Sequence, residues 1–358
     1  MTAINFLVSY KNTSTDLINK LIDCEIKKAE KLNSILVDDL AILKDFMSRG
    51  KRIRGALMNL GIHLAKNNWL PKDVFTPSLS FEFLHSALLM QDDIIDKDET
   101  RRGAPTVHHR YMSLHKEKYS GCDKDPYHFG ISRTICLSDW AFFFSQNLIG
   151  ESEFSTNSRI LAANVLSRCV MKTVNGESLD VTFESLPAIT EREVLLMMSY
   201  KTAHYTFSDP IRCGYFLGGG KDEAVDKAIS NYGDNIGMAF QVRDDILGLF
   251  GDPDILGKPV GSDLKRRKNT LLIAKALEMG DKKQCSFINS VWGKENLNSD
   301  EFEKAKNIVK VTGSLNYSEK LAEKLLKKGK SYIPKITKNK KYQNLLEGFA
   351  DLAVRRDK

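Results

Sequence analysis

The sequence predicts an all-α fold, and three observations carry that expectation. Alternating β-branched runs are few, and no Asn-Gly or Asp-Gly hairpin sits between them. Apolar residues recur instead at helical spacing along most of the chain. No repeat, low-complexity tract or linker-like stretch divides it. One single domain over residues 1–358 is therefore expected, a bundle of long helices around a central cavity.

The elements follow in order. Residues 14–48 read as one or two amphipathic helices, opened by Ser14 or Thr15 as cap. Gly50 to Gly55, GKRIRG, is a basic turn leading into an apolar helix that ends near Asn67-Asn68. Pro77 and Ser78 introduce the next helix, and Gly121 to Gly130 is a loop by composition. Helices are expected over about 131–149 and 158–183. Thr190 to Glu193 forms a capping box for the helix that carries Lys201 and Thr202. After Gly218-Gly219-Gly220 a helix runs from about Glu223 to Phe250, followed by a glycine- and proline-rich loop, Gly251 to Gly261, expected to be mobile. Beyond Lys265 the chain is helical with lysine-rich connections and ends Arg355-Arg356-Asp357-Lys358.

Composition narrows the function classes. Hydrophobic residues make up 42% and charged residues 28%, as in ordinary globular proteins. The net charge of +7 is mild, and much of it lies in Lys320 to Lys341 without interleaved aromatics. That pattern argues for a solvated helix face and against nucleic acid. The charge leaves open an anionic substrate or a peripheral membrane contact. The six cysteines include no CxxC pair and read as reduced, mostly core residues of a cytoplasmic protein. No signal-peptide core is present, and no apolar run approaches the roughly 20 residues that span a bilayer.

The chemistry concentrates in Phe81 to Gly103, FEFLHSALLMQDDIIDKDETRRG. At helical period Phe81, Leu84, Leu88, Asp92 and Asp96 share a stripe, with His85 two turns above Asp92. One face thus changes from apolar to anionic. Such a run is compatible with a solvated helix end countered by Arg101-Arg102. It is equally compatible with carboxylates held together by a hard divalent cation, since like charges one turn apart repel. A second segment, GMAFQVRDDILG over 237–248, repeats the pattern and places Gln241 and Asp244 or Asp245 on one face. Two such pairs on long helices are expected to face each other across a cavity and hold several magnesium ions around a diphosphate. Lys51, Arg54, Arg101, Arg102, Lys201, Lys258 and Lys268 are distributed as phosphate ligands would be.

In order and sequence, GKRIRG, DDIID with RRG, Lys201-Thr202, FQVRDDILG with a following GK, and SDLKRRKNT resemble the motifs of the trans-isoprenyl diphosphate synthases, the polyprenyl synthase family, over roughly Gly50 to Thr270. The resemblance implies a homodimeric, magnesium-dependent prenyltransferase. It condenses isopentenyl diphosphate with an allylic diphosphate by ionisation, attack and proton loss. Asp92, Asp96 and Asp244 would bind a trinuclear magnesium cluster, with Asp93 and Asp245 in support. Arg101, Lys201 and Lys258 would hold the allylic diphosphate, and Lys51, Arg54, His85 and Arg102 the isopentenyl diphosphate, with Lys268 a further substrate ligand. Thr202 and Gln241 would stabilise the cation.

Three departures stand out: Gly248 replaces the last acid of the second motif, Glu177 a glutamine, and Ser138 the glycine of a Gly-Asp pair. Chain length would be read by Ala87 with Leu84 and Leu88; the small Ala87 implies twenty carbons, geranylgeranyl diphosphate, against farnesyl or longer products. The basic ligands argue against a terpene cyclase, and the retained acids against a non-catalytic partner subunit of a heteromeric synthase. The C-terminal Arg355 to Lys358 either closes the isopentenyl site or is an unordered terminus.

Overall fold

A computed structural model describes residues 2–66, 75–252 and 260–354. Helix α1 spans Ala3–Glu30 and α2 Ser34–Ser48, the latter capped by Asn33, whose side chain accepts from the Ile35 N–H at 2.9 Å. Helix α1 thus starts well before the expected cap. Ser14 is buried within it, and both Ser14 and Thr15 hydroxyls donate back to the Lys11 carbonyl, at 3.0 and 2.8 Å. A hydroxyl can be satisfied this way inside a helix, so its presence did not mark a start. Buried Phe6 and Tyr10 extend the stripe that continues through Ile18 and Ile22.

Helix α3 spans Ile53–Lys66, α4 Phe75–Ser78 and α5 Ser80–Ile95. A two-residue-strand ribbon follows, β1 Thr100–Arg101 against β2 Ala104–Pro105. Arg102 and Gly103 join the strands with φ of 53° and 74°, the signs a type I′ turn demands. Arginine is a poor marker for that turn, so the sequence does not announce the hairpin. Helix α6 is Val107–Lys118 and α7 Pro126–Gly150. The loop before α7 is shorter than expected: Asp125 accepts from the Tyr127 and His128 N–H groups at 3.0 and 3.2 Å. Pro126 therefore opens the helix, a position where its missing N–H costs nothing.

Helix α8 is Thr156–Glu184 and α9 Glu191–Met198, the latter opened by the expected Thr190–Glu193 capping box. A π-helix, Ser199–Ser208, interrupts the continuous α-helix that the sequence predicts, and Lys201 and Thr202 lie on it. Then come α10 Asp209–Leu217 and α11 Glu223–Phe250, whose bounds match the expectation because Asp222 caps it through the Ala224 and Val225 N–H groups. Helices α12 Ser262–Lys265, α13 Leu271–Met279, α14 Lys282–Val291, α15 Ser299–Val311, α16 Ser314–Lys330, α17 Ile333–Ile336 and α18 Lys340–Val354 complete the chain. The all-α expectation holds, with that one ribbon among the described residues.

Contacts divide the described residues into two compact units. One comprises those within 4–163 and 213–220; the other comprises those within 1–3, 164–212 and 221–358. In the first, α5 packs on α7 and α7 on α6, around Phe81, Phe83, Leu84 and Tyr111. In the second, α11 packs on the π-helix and α16, and Val194, Val242, Leu271 and Ile288 belong to its core. Only Cys169 and Cys213 are fully buried; Cys24, Cys122 and Cys136 are exposed, which corrects the expectation of mostly core cysteines, and no disulfide joins any of the six. No described helix is long and apolar enough to cross a membrane.

Candidate active site

In the first unit the apolar-to-anionic stripe of α5 is present. Phe81, Leu84 and Ala87 are fully buried, Leu88 is half-buried, and Asp92 and Asp96 reach the partly exposed end. The ribbon folds Arg101 back onto this end, where its Nη2 meets Asp92 at 2.8 Å and Asp98 at 3.6 Å and its Nε donates to Asp93. Asp93 lies on the inner face of α5. Burial, against the pull of Arg101, pushes its carboxyl up to about 7, and its Oδ2 has no hydrogen-bond partner. A buried carboxylate oxygen left this way favours an approaching cation.

The same hairpin presses Arg102 onto the GKRIRG turn, where its Nη1 donates to the Arg49 carbonyl. Gly50, at φ 146°, makes room for it: a Cβ there would lie 3.0 Å from Arg102 Nη1. Burial and the guanidinium groups of Arg54, Arg102, Arg101 and Arg52 hold the His85 imidazole well below its usual range, hence neutral. Arg54, His85 and Arg102 are thus brought into one cationic environment, with Lys51 exposed on the adjoining turn. Neutral His85 there would offer an N–H donor to an anion without adding to the crowding of charge.

Arg52 and Glu82 are not among the site residues the sequence predicts. Arg52, in the left-handed region at φ 58°, is buried, pairs with Glu82 at 3.4 Å and donates to the Met47 carbonyl. Glu82 also accepts the Gly55 N–H at 2.8 Å. An acid inside the apolar run FEFL was the available signal for this anchor. Beside α5, the Ala87 carbonyl accepts from the Ser138 hydroxyl at 3.1 Å, which accounts for a hydroxyl at that departure. One turn back, Phe83 packs on Phe144 with centroids 4.7 Å apart, and Trp140 stacks on Phe144 at the same distance.

In the second unit a cavity of ≈ 180 Å³ is lined by Lys201, Thr202, Gln241, Asp244, Asp245 and Asp263 among others. Its walls approach closely because glycines face backbone. A Cβ on Gly176 would lie 2.2 Å from the Lys201 nitrogen, and one on Gly237 2.6 Å from the Ala203 Cα. The π-helix is tied to α11 through His204, whose Nε2 meets Ser199 Oγ at 3.2 Å and whose Nδ1 meets Asp234 at 2.9 Å. Within the cavity Lys201 Nζ pairs with Asp180 at 2.6 Å and Glu177 at 2.9 Å, and Lys268 Nζ pairs with Asp180 at 3.2 Å and Glu184 at 2.7 Å. Burial raises Asp180, but Lys201 and Lys268 together outweigh it and hold the carboxyl below its usual range.

Burial, then the charges of Asp263 and Asp244, push Asp245 well above the carboxylate range, although Gln241 Nε2 donates to it at 2.8 Å. Asp263 is not marked out in the sequence, where the lysines of SDLKRRKNT carry the phosphate-ligand pattern. A Cβ on Gly248 would meet Asp263 Oδ2 at 2.7 Å, so the Asp263 carboxylate lies where a side chain at 248 would begin. Among the described residues no three His, Cys, Asp or Glu side chains converge as a ready metal cage. The donor chemistry nonetheless fits a hard divalent cation: crowded carboxylate oxygens, with further ligands to come from water and phosphate. Lys258 and the tail Arg355 to Lys358 lie outside the described residues.

A polyprenyl synthetase family model matches residues 40–309. The chain is 28% identical to geranylgeranyl diphosphate synthase of Sulfolobus acidocaldarius, covering 99% of this chain and 98% of that one. It is 30% identical to the enzyme of that name from Methanosarcina mazei, covering 86% of each. Among solved structures, geranylgeranyl pyrophosphate synthase from Corynebacterium glutamicum, complexed with isoprenyl diphosphate and magnesium, superposes with a TM-score of 0.90 at 28% identity, covering 98% of this chain and 99% of that one.

Proposed function

The chain belongs to the polyprenyl synthetase family and is a prenyltransferase of the prenyl diphosphate synthase type, and we propose that it condenses isopentenyl diphosphate with allylic diphosphates to twenty-carbon geranylgeranyl diphosphate. The observation that carries the reading is the cavity holding Lys201 and Thr202 against Gln241 and Asp244. It combines the cation, the carboxylates and the neutral oxygens that ionising an allylic diphosphate needs. Residues 1–358 would act as a single domain.

Asp92 and Asp96 with Asp93, and Asp244 with Asp245, would hold magnesium, whose charge stabilises diphosphate as the carbon–oxygen bond breaks. Lys201, Arg101 and Lys258 would orient the allylic diphosphate, so that charge arriving on the leaving oxygens meets preorganised cations. Lys51, Arg54, His85 and Arg102 would hold isopentenyl diphosphate, with Lys268 supporting the cavity charge through Asp180. Donation from Gln241 Nε2 to Asp245 leaves the amide carbonyl as the end able to face the allylic cation, beside the Thr202 hydroxyl. Apolar walls such as Met197 and Met198 would keep that cation from water. The proton lost after attack passes to the departing diphosphate, and no protein base is assigned.

Magnesium, isopentenyl diphosphate and, in turn, dimethylallyl, geranyl and farnesyl diphosphates would be supplied to the purified chain and the products sized. A single twenty-carbon product is expected; no incorporation with any primer would sink the reading and favour a non-catalytic subunit. Ala87 is fully buried and small, so Ala87→Phe should shorten the product to fifteen carbons or fewer. An unchanged product would move the floor to another group, with Phe83 and Phe144 next in line.

The partner we propose is a second copy of the chain. On α8, Met171, Val174 and Val181 are 66%, 48% and 43% exposed and share one helix face, more apolar side chain than a solvated face carries. Val174→Glu is expected to convert a dimer to a monomer in analytical ultracentrifugation; a monomeric parent protein would dispose of the idea.

A further inference from the structure

We propose that Glu177 tunes the affinity of this site for the allylic diphosphate by competing for Lys201. The inference rests on the reading of Lys201 as a ligand of that diphosphate. Its starting point is the departure noted in the sequence, a glutamate where the family pattern carries glutamine.

The structure places that extra charge against Lys201. Gly176 lets α8 come within backbone contact of the π-helix, and the next residue reaches the Lys201 ammonium with both carboxylate oxygens, Oε2 at 2.9 Å and Oε1 at 3.0 Å. Asp180 takes the same ammonium at 2.6 Å. Asp180 has a second cation, Lys268 at 3.2 Å, and so does not depend on Lys201 alone. The charge Glu177 adds thus falls on a lysine that lines the cavity beside Thr202, where Asp244 and Asp263 already contribute negative charge.

A diphosphate entering the cavity meets this carboxylate as a rival for the ammonium and as a like charge. A glutamine carbonyl would still accept a hydrogen bond from Lys201, but it would neither repel the ligand nor cancel the lysine charge. Both side chains are about one-fifth exposed, so solvent screens the effect only in part. Removing one unit charge at that range changes affinity for a multiply charged anion by about tenfold. The effect belongs to ground-state binding: it changes the KM for the allylic substrate more than kcat.

The test is isothermal titration of the full chain with inorganic diphosphate at fixed magnesium, comparing the parent with Glu177→Gln, alongside steady-state kinetics. Glu177→Gln is expected to bind diphosphate about tenfold more tightly and to lower the allylic KM, with kcat within about twofold and an unchanged melting temperature. Unchanged binding would overturn the proposal and make Glu177 a spectator. Weaker binding together with weaker magnesium affinity would overturn it in favour of Glu177 as a metal ligand. A parent protein that neither binds magnesium diphosphate nor condenses substrates would overturn the proposed function itself, which an altered Glu177 alone cannot do.

Discussion

Asp244→Asn is expected to lower kcat/KM by roughly a thousandfold, about 4 kcal/mol of transition-state stabilisation, while leaving the fold intact. The second acidic motif has glycine at its last position, so within the motif Asp244 and Asp245 are the only carboxylates. Asp245 is the weaker candidate for a metal ligand: burial and its acidic neighbours favour its protonated form, and it already accepts from Gln241. Asp244 lines the cavity with Lys201 and Thr202. Asparagine keeps its shape and loses its charge, and the same change relieves repulsion with Asp245. Stability should therefore be unchanged or higher. Kinetics over a magnesium titration, with calorimetric melting, separate the two effects. Activity within tenfold of the parent at saturating magnesium would show that Asp245 and Asp263 suffice without it.

Glu82→Ala should destabilise the chain by about 3–5 kcal/mol, the usual cost of leaving a buried charge without its partner. Arg52 and Glu82 are each 4% exposed, and Glu82 also takes the Gly55 N–H at 2.8 Å. Truncation strands a guanidinium and a backbone donor together. It also releases the turn that carries Lys51 and opens the helix bearing Arg54, so the KM for isopentenyl diphosphate should rise more than that for the allylic substrate. Glu82→Gln, which keeps an acceptor for Gly55, should cost less. Urea unfolding measures the first effect, and a loss below about 1 kcal/mol would mean that water reaches Arg52.

The match between expectation and structure follows how local each signal is. Helix α11 ran from Glu223 to Phe250 as expected, because Asp222 caps its own next turn and the chain meets glycine at Gly251. The capping box at Thr190 was legible for the same reason. The start of α1 was misplaced because a serine that bonds its own helix looks, in sequence, like one that starts it. The π-helix was invisible: Ser199 to Ser208 has no composition that separates a five-residue register from a four-residue one, and its His204 bridge ends on Asp234 of another helix.

By itself, then, the sequence determined the helical class, the family and the residue types of the site, since periodicity, caps and acidic motifs are written over a few consecutive turns. Only the tertiary structure decided which charges meet. Lys201 finds Glu177 across 24 positions, Arg52 finds Glu82 across 30, and Asp263 lies against Gly248. Pairings at that range depend on how helices pack, and packing is set by the close approach of backbones at residues such as Gly176 and Gly237, not by any local pattern of charge.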